Sequence, residues 1–278
     1  RALVDFFNSK FLPDETRNLS GATSGRTARI DHARERLLSK LHSIQDATED
    51  RVLRTLANLI ESTVRTNFYR SDKKSHYISF KINCANLESI PEPRPKFEIF
   101  VHASTVEGVH LRGAKIARGG LRWSDRLDDY RTEIFGLMRT QMVKNVLIVP
   151  GGAKGGFILK LEKPGIDRRA FADKMYEVFI RGLLDITDNI IEGRTITPPQ
   201  VVCFDDPDPY LVVAADKGTA HLSDTANRIA HEYGFWLGDA FASGGSMGYD
   251  HKIYAITARG AWACARHHFS FLGIDPFW

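Results

Sequence analysis

Lys154 stands in the run Gly151-Gly152-Ala153-Lys154-Gly155-Gly156, where an apolar, strand-like stretch from Lys144 to Val149 feeds through Pro150 into a cluster of glycines. Glycines let the backbone come close to a ligand while the lysine points at it, a common mounting for a catalytic lysine. The run is not a phosphate P-loop, which needs four residues between its first glycine and a Gly-Lys-Ser/Thr; here glycine follows the lysine. Alone, such a run reads as a glycine turn carrying a solvated lysine. Its neighbours in the sequence argue for more.

Arg118 and Arg122 flank glycines in Ala117-Arg118-Gly119-Gly120-Leu121-Arg122-Trp123, Gln141 and Lys144 precede the lysine cluster, and Asp216 lies in Ala215-Asp216-Lys217-Gly218-Thr219. Each places a polar or charged side chain beside glycine or at an element end, where functional groups reach a cleft. Several cations around a pocket bind a dicarboxylate through charge-assisted hydrogen bonds. A lysine crowded by cations and partly desolvated has its pKa lowered, so that it serves as base or electrophile near neutral pH, and an aspartate beside it completes a proton-transfer pair.

The elements that must position these groups follow from periodicity. Apolar residues at helical spacing between Thr27 and Asn67 predict two helices, with Asp46, Thr48 and Asp50 as caps at the break. Alternation predicts strands at Tyr77–Ile82, Phe97–Val101 and Val109–Arg112. Asp128 or Asp129 caps a helix to about Met142, Asp167 caps one through Leu183, and Ser223 or Asp224 caps one to Tyr233. A short strand is expected at Val201–Phe204 and a last helix over Ala258–His268. Helices alternating with strands indicate an α/β fold with a mixed sheet and flanking helices.

At 278 residues, 43% hydrophobic and 26% charged, the chain can bury a full core, and no apolar run is long enough to span a bilayer. A net charge of +4, spread among nearly as many acidic residues, gives no argument for nucleic acid. Cys84, Cys203 and Cys264 are few and far apart, forming neither a disulfide framework nor a zinc site, which favours a cytoplasmic location. The start at Arg1 and the apolar ending Ile274–Trp278 lead us to expect a piece of a longer protein. The histidines show no metal-ligand spacing, so no metal is expected. Asp205, Asp206 and Asp208, interrupted by prolines, read as an exposed loop; Trp123, Trp236 and Trp262 read as core; Lys73-Lys74 reads as a solvated pair.

The sequence resembles the glutamate dehydrogenases, specifically the large bacterial NAD-dependent class. The likeness runs through Glu107–Gly113, Arg118–Asp125, the Lys154 cluster, Ala215–Ala220 and Tyr233–Gly245 in one order. It implies NAD-linked oxidative deamination of L-glutamate to 2-oxoglutarate and ammonia by a homo-oligomer. It implies further that Lys154 is catalytic, that Asp216 shuttles protons, and that Gln141 and Lys144 hold the substrate α-carboxylate. Thr257 resembles a threonine near the nicotinamide. Arg118 stands where small members of the family carry a lysine that grips the side-chain carboxylate, a role that a guanidinium can fill bidentately.

No Gly-x-Gly-x-x-Gly occurs in a strand-to-helix setting, so the dinucleotide-binding Rossmann domain is expected outside this chain. We expect a helical scaffold at 1–75, an α/β substrate-binding and catalytic domain at 76–256, and the start of a junction to the NAD-binding domain at 257–278. The competing readings are a pyridoxal-phosphate enzyme using Lys154 as its Schiff-base lysine, and a non-catalytic module that binds dicarboxylates or serves assembly.

Overall fold

The structure, a computed structural model, describes residues 1–14, 22–87, 90–144, 151–160, 165, 167–248, 251–275 and 277, the side chains of 22–24, 144, 215, 220, 251, 252 and 257 excepted. Three helices come first: α1 (Ala2–Phe11), α2 (Ala22–Leu41) and α3 (Ala47–Ser62). Asp46 caps α3 as expected, its carboxylate accepting from the N–H groups of Thr48 and Glu49. Phe6 of α1 and Leu37 and Leu41 of α2, with Leu53, Ala57 and Ile60 of α3 packed against them, form a small cluster of their own.

Strands β1 (Thr63–Thr66), β2 (Ile78–Asn83), β3 (Phe97–His102) and β4 (Val106–Arg112) form an antiparallel meander. Then come β5 (Ala117–Arg118), β6 (Gly120–Trp123), α4 (Tyr130–Lys144), β7 (Gly151–Leu159) and α5 (Arg168–Leu184). A two-stranded ribbon, β8 (Asn189–Ile191) and β9 (Arg194–Ile196), precedes β10 (Ala214–Ala215), α6 (Ser223–Glu232), α7 (His251–Tyr254) and α8 (Ile256–Phe271). The sheet order is β1-β2-β3-β4-β7-β6-β10, with β5 beside the start of β7. β7 runs antiparallel to β4 but parallel to β5 and β6, and β10 is parallel to β6. The fold is therefore α/β with a mixed sheet and flanking helices, and β6-α4-β7 is its parallel crossover.

Helices cover both faces. Tyr130, Ile134 and Met138 of α4 pack on Val109 and Leu111 on one side; Phe179, Ile180 and Leu183 of α5, with Ala226 and Ile229 of α6, pack on Leu121 and Phe157 on the other. Asp167 caps α5 as expected, accepting from the N–H of Arg169.

The glycine cluster is a buried central strand and not a turn: all of β7 is inaccessible, from Gly151 to Leu159. Local propensity favours a turn, but the close approach of neighbouring elements needs residues without side chains. A Cβ on Gly152 would lie 2.3 Å from backbone atoms of Gln141 and Met142, and one on Gly156 would lie 2.3 Å from Ile134. Val201–Phe204 is not a strand; it pairs with no strand, and Phe204 alone donates its N–H to Val64 O at 3.0 Å. Neither Ser223 nor Asp224 caps α6, because the chain enters it from a 3-10 turn at Ala220–Leu222, and the Asp224 carboxylate accepts from the N–H of Ser246.

Asp205 and Asp208 form the largest departure from expectation, whereas Asp206 is exposed as expected and pairs with Lys115. Asp208 is only 3% exposed, and with Asp188 and Asp205 it meets three buried cations, Arg65, Lys81 and Arg112. Arg65 reaches Asp188 at 2.6 Å and Asp205 at 2.5 Å; Lys81 reaches Asp205 at 2.5 Å and Asp208 at 2.7 Å. Burial alone would raise the Asp208 pKa, but Arg112 and Lys81 overcome it and hold the carboxyl down to about 2. Trp236 and Trp262 are also more exposed than a core assignment implies, whereas Trp123 packs against the core. Lys73 and Lys74 have partners: Lys73 donates to the carbonyls of Asn67 and Tyr77, and Lys74 pairs with Glu232.

Candidate active site

Because β7 alternates faces, Lys154 lies between Gly152 and Gly156 on the side that meets α4. Its side chain is almost wholly buried, and its ammonium contacts Asp216 Oδ2. The two residues are 62 apart in sequence, and the sheet joins them: β7 lies beside β6, β6 beside β10, and Asp216 follows β10 directly.

A short turn fixes the aspartate. Thr219 Oγ1 accepts from the Asp216 N–H at 3.1 Å and donates to Leu121 O at 2.8 Å, while the Trp123 N–H donates to Lys217 O. Gly218, at φ +82°, permits the left-handed step that closes this turn against Trp123. Burial raises the Asp216 pKa; the hydrogen bond from Lys154, the Lys217 backbone N–H and the charge of Arg122 outweigh it, and the carboxyl titrates below its usual value. An ionised carboxylate in contact with a buried ammonium is a pair suited to moving a proton.

Gln141 comes to the same place through α4, since its backbone and Cβ abut Gly152, two residues from Lys154. Arg118 lies opposite Gly152 in the β5–β7 register and donates from NH2 to Ser243 Oγ at 3.1 Å. The sequence motifs thus converge at the N-terminal half of β7. The side chains of Lys144 and Thr257 lie outside the described residues, as do Asn145–Pro150, the apolar run expected to lead into the cluster.

Sequence reasoning did not single out Glu133, Ser124 or Ser243, and it assigned Arg122 no separate role. Arg122 donates from Nε to Asp216 Oδ2 at 3.3 Å and from NH1 to Glu133 Oε1 at 2.9 Å. Ser124 donates to Glu133 Oε2 at 2.6 Å. The one sequence signal was Glu133 itself, an acidic residue in the first turn of α4.

His110 is buried with neither ring nitrogen hydrogen-bonded, and burial followed by the charge of Arg112 lowers its pKa to about 3, which makes it a neutral core residue on the opposite face. Among the described residues no His/Cys/Asp/Glu group has the arrangement of a metal site, and no helix is long and apolar enough to cross a membrane.

The chain is 57% identical over 86% of its length to the NAD-specific glutamate dehydrogenase of Pseudomonas aeruginosa. It is 49% identical over 99% of its length to the proteins of the same name from Halomonas elongata and Mycobacterium tuberculosis. It spans only 15% to 17% of the length of these relatives, so it corresponds to a fragment of them. Residues 36–277 match the family model for the catalytic domain of bacterial NAD-glutamate dehydrogenase, and the chain belongs to that family.

Proposed function

We propose that this chain is the substrate-binding and catalytic region of an enzyme that oxidatively deaminates L-glutamate to 2-oxoglutarate and ammonia with NAD. The observation that carries the reading is the part-buried contact between Lys154 and Asp216, made by residues 62 apart in sequence and joined by Arg122. Residues 76–256 form the catalytic domain, 1–75 the helical scaffold before it, and 257–278 the start of the junction to an NAD-binding domain. The full-length protein works in the cytoplasm as a homo-oligomer.

In this mechanism Arg118 receives the side-chain carboxylate of glutamate, and Gln141 and Lys144 receive the α-carboxylate. These contacts set the α-carbon over Lys154. Asp216, held ionised by Lys154 and Arg122, takes the proton from the substrate ammonium. NAD, held by the rest of the full-length protein, would supply the acceptor for the hydride that leaves the α-carbon. Lys154 then assists water in adding to the iminium carbon, and Asp216 returns a proton to the departing nitrogen. The buried position of Lys154 keeps bulk water from these transfers.

Among the described residues no strand-helix-strand unit carries a Gly-x-Gly-x-x-Gly turn, so they do not themselves fit a dinucleotide. We assign its binding to the rest of the full-length protein, with Thr257 at the boundary. The pyridoxal-phosphate alternative gains nothing from relatives that are named dehydrogenases.

The test is the full-length enzyme with Asp216→Asn or Lys154→Ala, assayed by nicotinamide absorbance with glutamate. Both variants are expected to bind glutamate and lose turnover. Wild-type kcat in either would overturn the assignment.

A further inference from the structure

Behind the Lys154–Asp216 contact stands an ordered row of charges. Glu133, in the first turn of α4, accepts from Arg122 on one oxygen and from Ser124 on the other; Arg122 extends to Asp216, and Asp216 meets Lys154. Anion, cation, anion and cation alternate from a helix terminus to the buried lysine.

The arrangement of the guanidinium is informative. Arg122 uses NH1 for Glu133 and Nε for Asp216, so one planar fork spans two carboxylates and its orientation is set from both sides. Arg122 also addresses Oδ2, the oxygen that Lys154 contacts. Glu133 is itself well anchored. Ser124 occupies its second oxygen, and the α4 N-terminus favours its charge. Burial raises the Glu133 pKa, but Ser124 and Arg122 outweigh that and lower it, so it is ionised at neutral pH. Arg122 and Glu133 are about one-fifth exposed. Partly exposed ion pairs typically contribute about 0–1 kcal/mol to stability, so the row is a weak device for stability and a direct one for orientation.

We propose that Arg122 is a positioning residue that fixes the Asp216 carboxylate against Lys154, and that Glu133, steadied by Ser124, acts only through Arg122. The inference rests on the reading of Lys154 and Asp216 as the proton-transfer pair. Arg122 touches neither substrate nor cofactor in this scheme.

The experiment is a double-mutant cycle in the full-length enzyme, with kcat and KM for glutamate measured for Arg122→Gln, Glu133→Gln and the double variant. Arg122→Lys and Asp216→Asn accompany them. A misplaced Asp216 lowers kcat by about 10- to 100-fold in Arg122→Gln, with KM changed by less than about threefold. Arg122→Lys, which keeps the charge and loses the fork, recovers part of that loss. Glu133→Gln lowers kcat by less, and the double variant is no worse than Arg122→Gln alone, because a residue acting through another adds nothing once the other is gone.

Multiplicative losses would overturn the dependence of Glu133 on Arg122. A raised KM with normal kcat would make Arg122 a substrate contact and overturn the proposal, as would unchanged kcat. If Arg122→Gln does not fold, the cycle of Arg122→Lys with Glu133→Gln, in which both side chains keep hydrogen-bonding capacity, is read by the same rule. Asp216→Asn separates the two levels: normal turnover there overturns the proton-transfer reading and this inference together. Lost turnover there beside normal Arg122 variants overturns this inference alone.

Discussion

Gly152→Ala tests whether the glycines of β7 exist to bring α4 onto the site. The new Cβ would sit 2.3 Å from the Gln141 carbonyl carbon and the Met142 nitrogen, and ordinary contact begins near 3.4 Å, so the helix end or the strand must move by about 1.1 Å. The obstacle is backbone, so no rotamer change relieves it, and overpacking of this kind destabilises by about 1–3 kcal/mol. The displaced end of α4 carries Gln141 and Lys144, and a misplacement of about 1 Å costs about 10²-fold in catalysis. We therefore expect kcat/KM for glutamate to fall about 100-fold in the full-length variant. Gly136→Ala is the matched control. Gly136 lies on the same helix, exposed and with nothing within 4 Å of its added Cβ, so alanine should be harmless or stabilise the helix by up to about 1 kcal/mol. If Gly152→Ala keeps kcat/KM within about twofold of wild type, the close-approach argument for β7 is wrong.

Lys154→Ala in the full-length enzyme is expected to lower kcat by about 10²- to 10⁴-fold, read from nicotinamide absorbance, with folding checked by circular dichroism. Arg118→Ala should raise KM for glutamate by the equivalent of about 2–4 kcal/mol and reduce discrimination against norvaline, which lacks the side-chain carboxylate; an unchanged glutamate-to-norvaline ratio would place Arg118 outside the substrate pocket. Asp208→Asn leaves Lys81 and Arg112 short of a buried anion and should destabilise by about 3–5 kcal/mol, seen as faster amide exchange in β2 and β4. The Asp208 pKa of about 2, against 3.8 unperturbed, stabilises the fold by about 2–3 kcal/mol above pH 4. Because the folded value is the depressed one, that stability is lost as pH falls from 4 through 2, and acid unfolding monitored in β2 should lose this component in Asp208→Asn.

What was legible in the sequence was what is decided locally. Asp46 and Asp167 each cap a helix by bonding to N–H groups two or three residues on, and strands β2, β3 and β4 announce themselves through alternation. The site motifs were legible for another reason: lysine, aspartate and arginine beside glycine mark chemistry even before their positions in space are known. What stayed hidden depends on partners far along the chain. Arg65 meets Asp188 and Asp205 from 123 and 140 residues away, and no local pattern distinguishes such aspartates from those of an exposed loop. Val201–Phe204 has the composition of a strand, but its backbone meets β1 only through the Phe204 N–H bond to Val64 O, too little for a ladder.

The misreading of the glycine cluster joins these two lessons. A residue without a side chain serves both a turn, which needs backbone freedom, and a crowded strand, which needs empty space; the sequence is the same in both cases. In β7 the space is taken by α4 at Gly152 and Gly156, and by Leu121 and His110 at Gly155. Lys154 is therefore held on a buried central strand, with its contacts decided by whichever elements come closest. α4 contributes Glu133 at one end and Gln141 at the other, so a single helix both orients the Asp216 side through Arg122 and brings a substrate residue to Gly152. The tight fit of α4 against glycine thus couples proton transfer to substrate placement, and a change that shifts this helix should disturb both kcat and KM, whereas a change at Arg122 should disturb kcat alone.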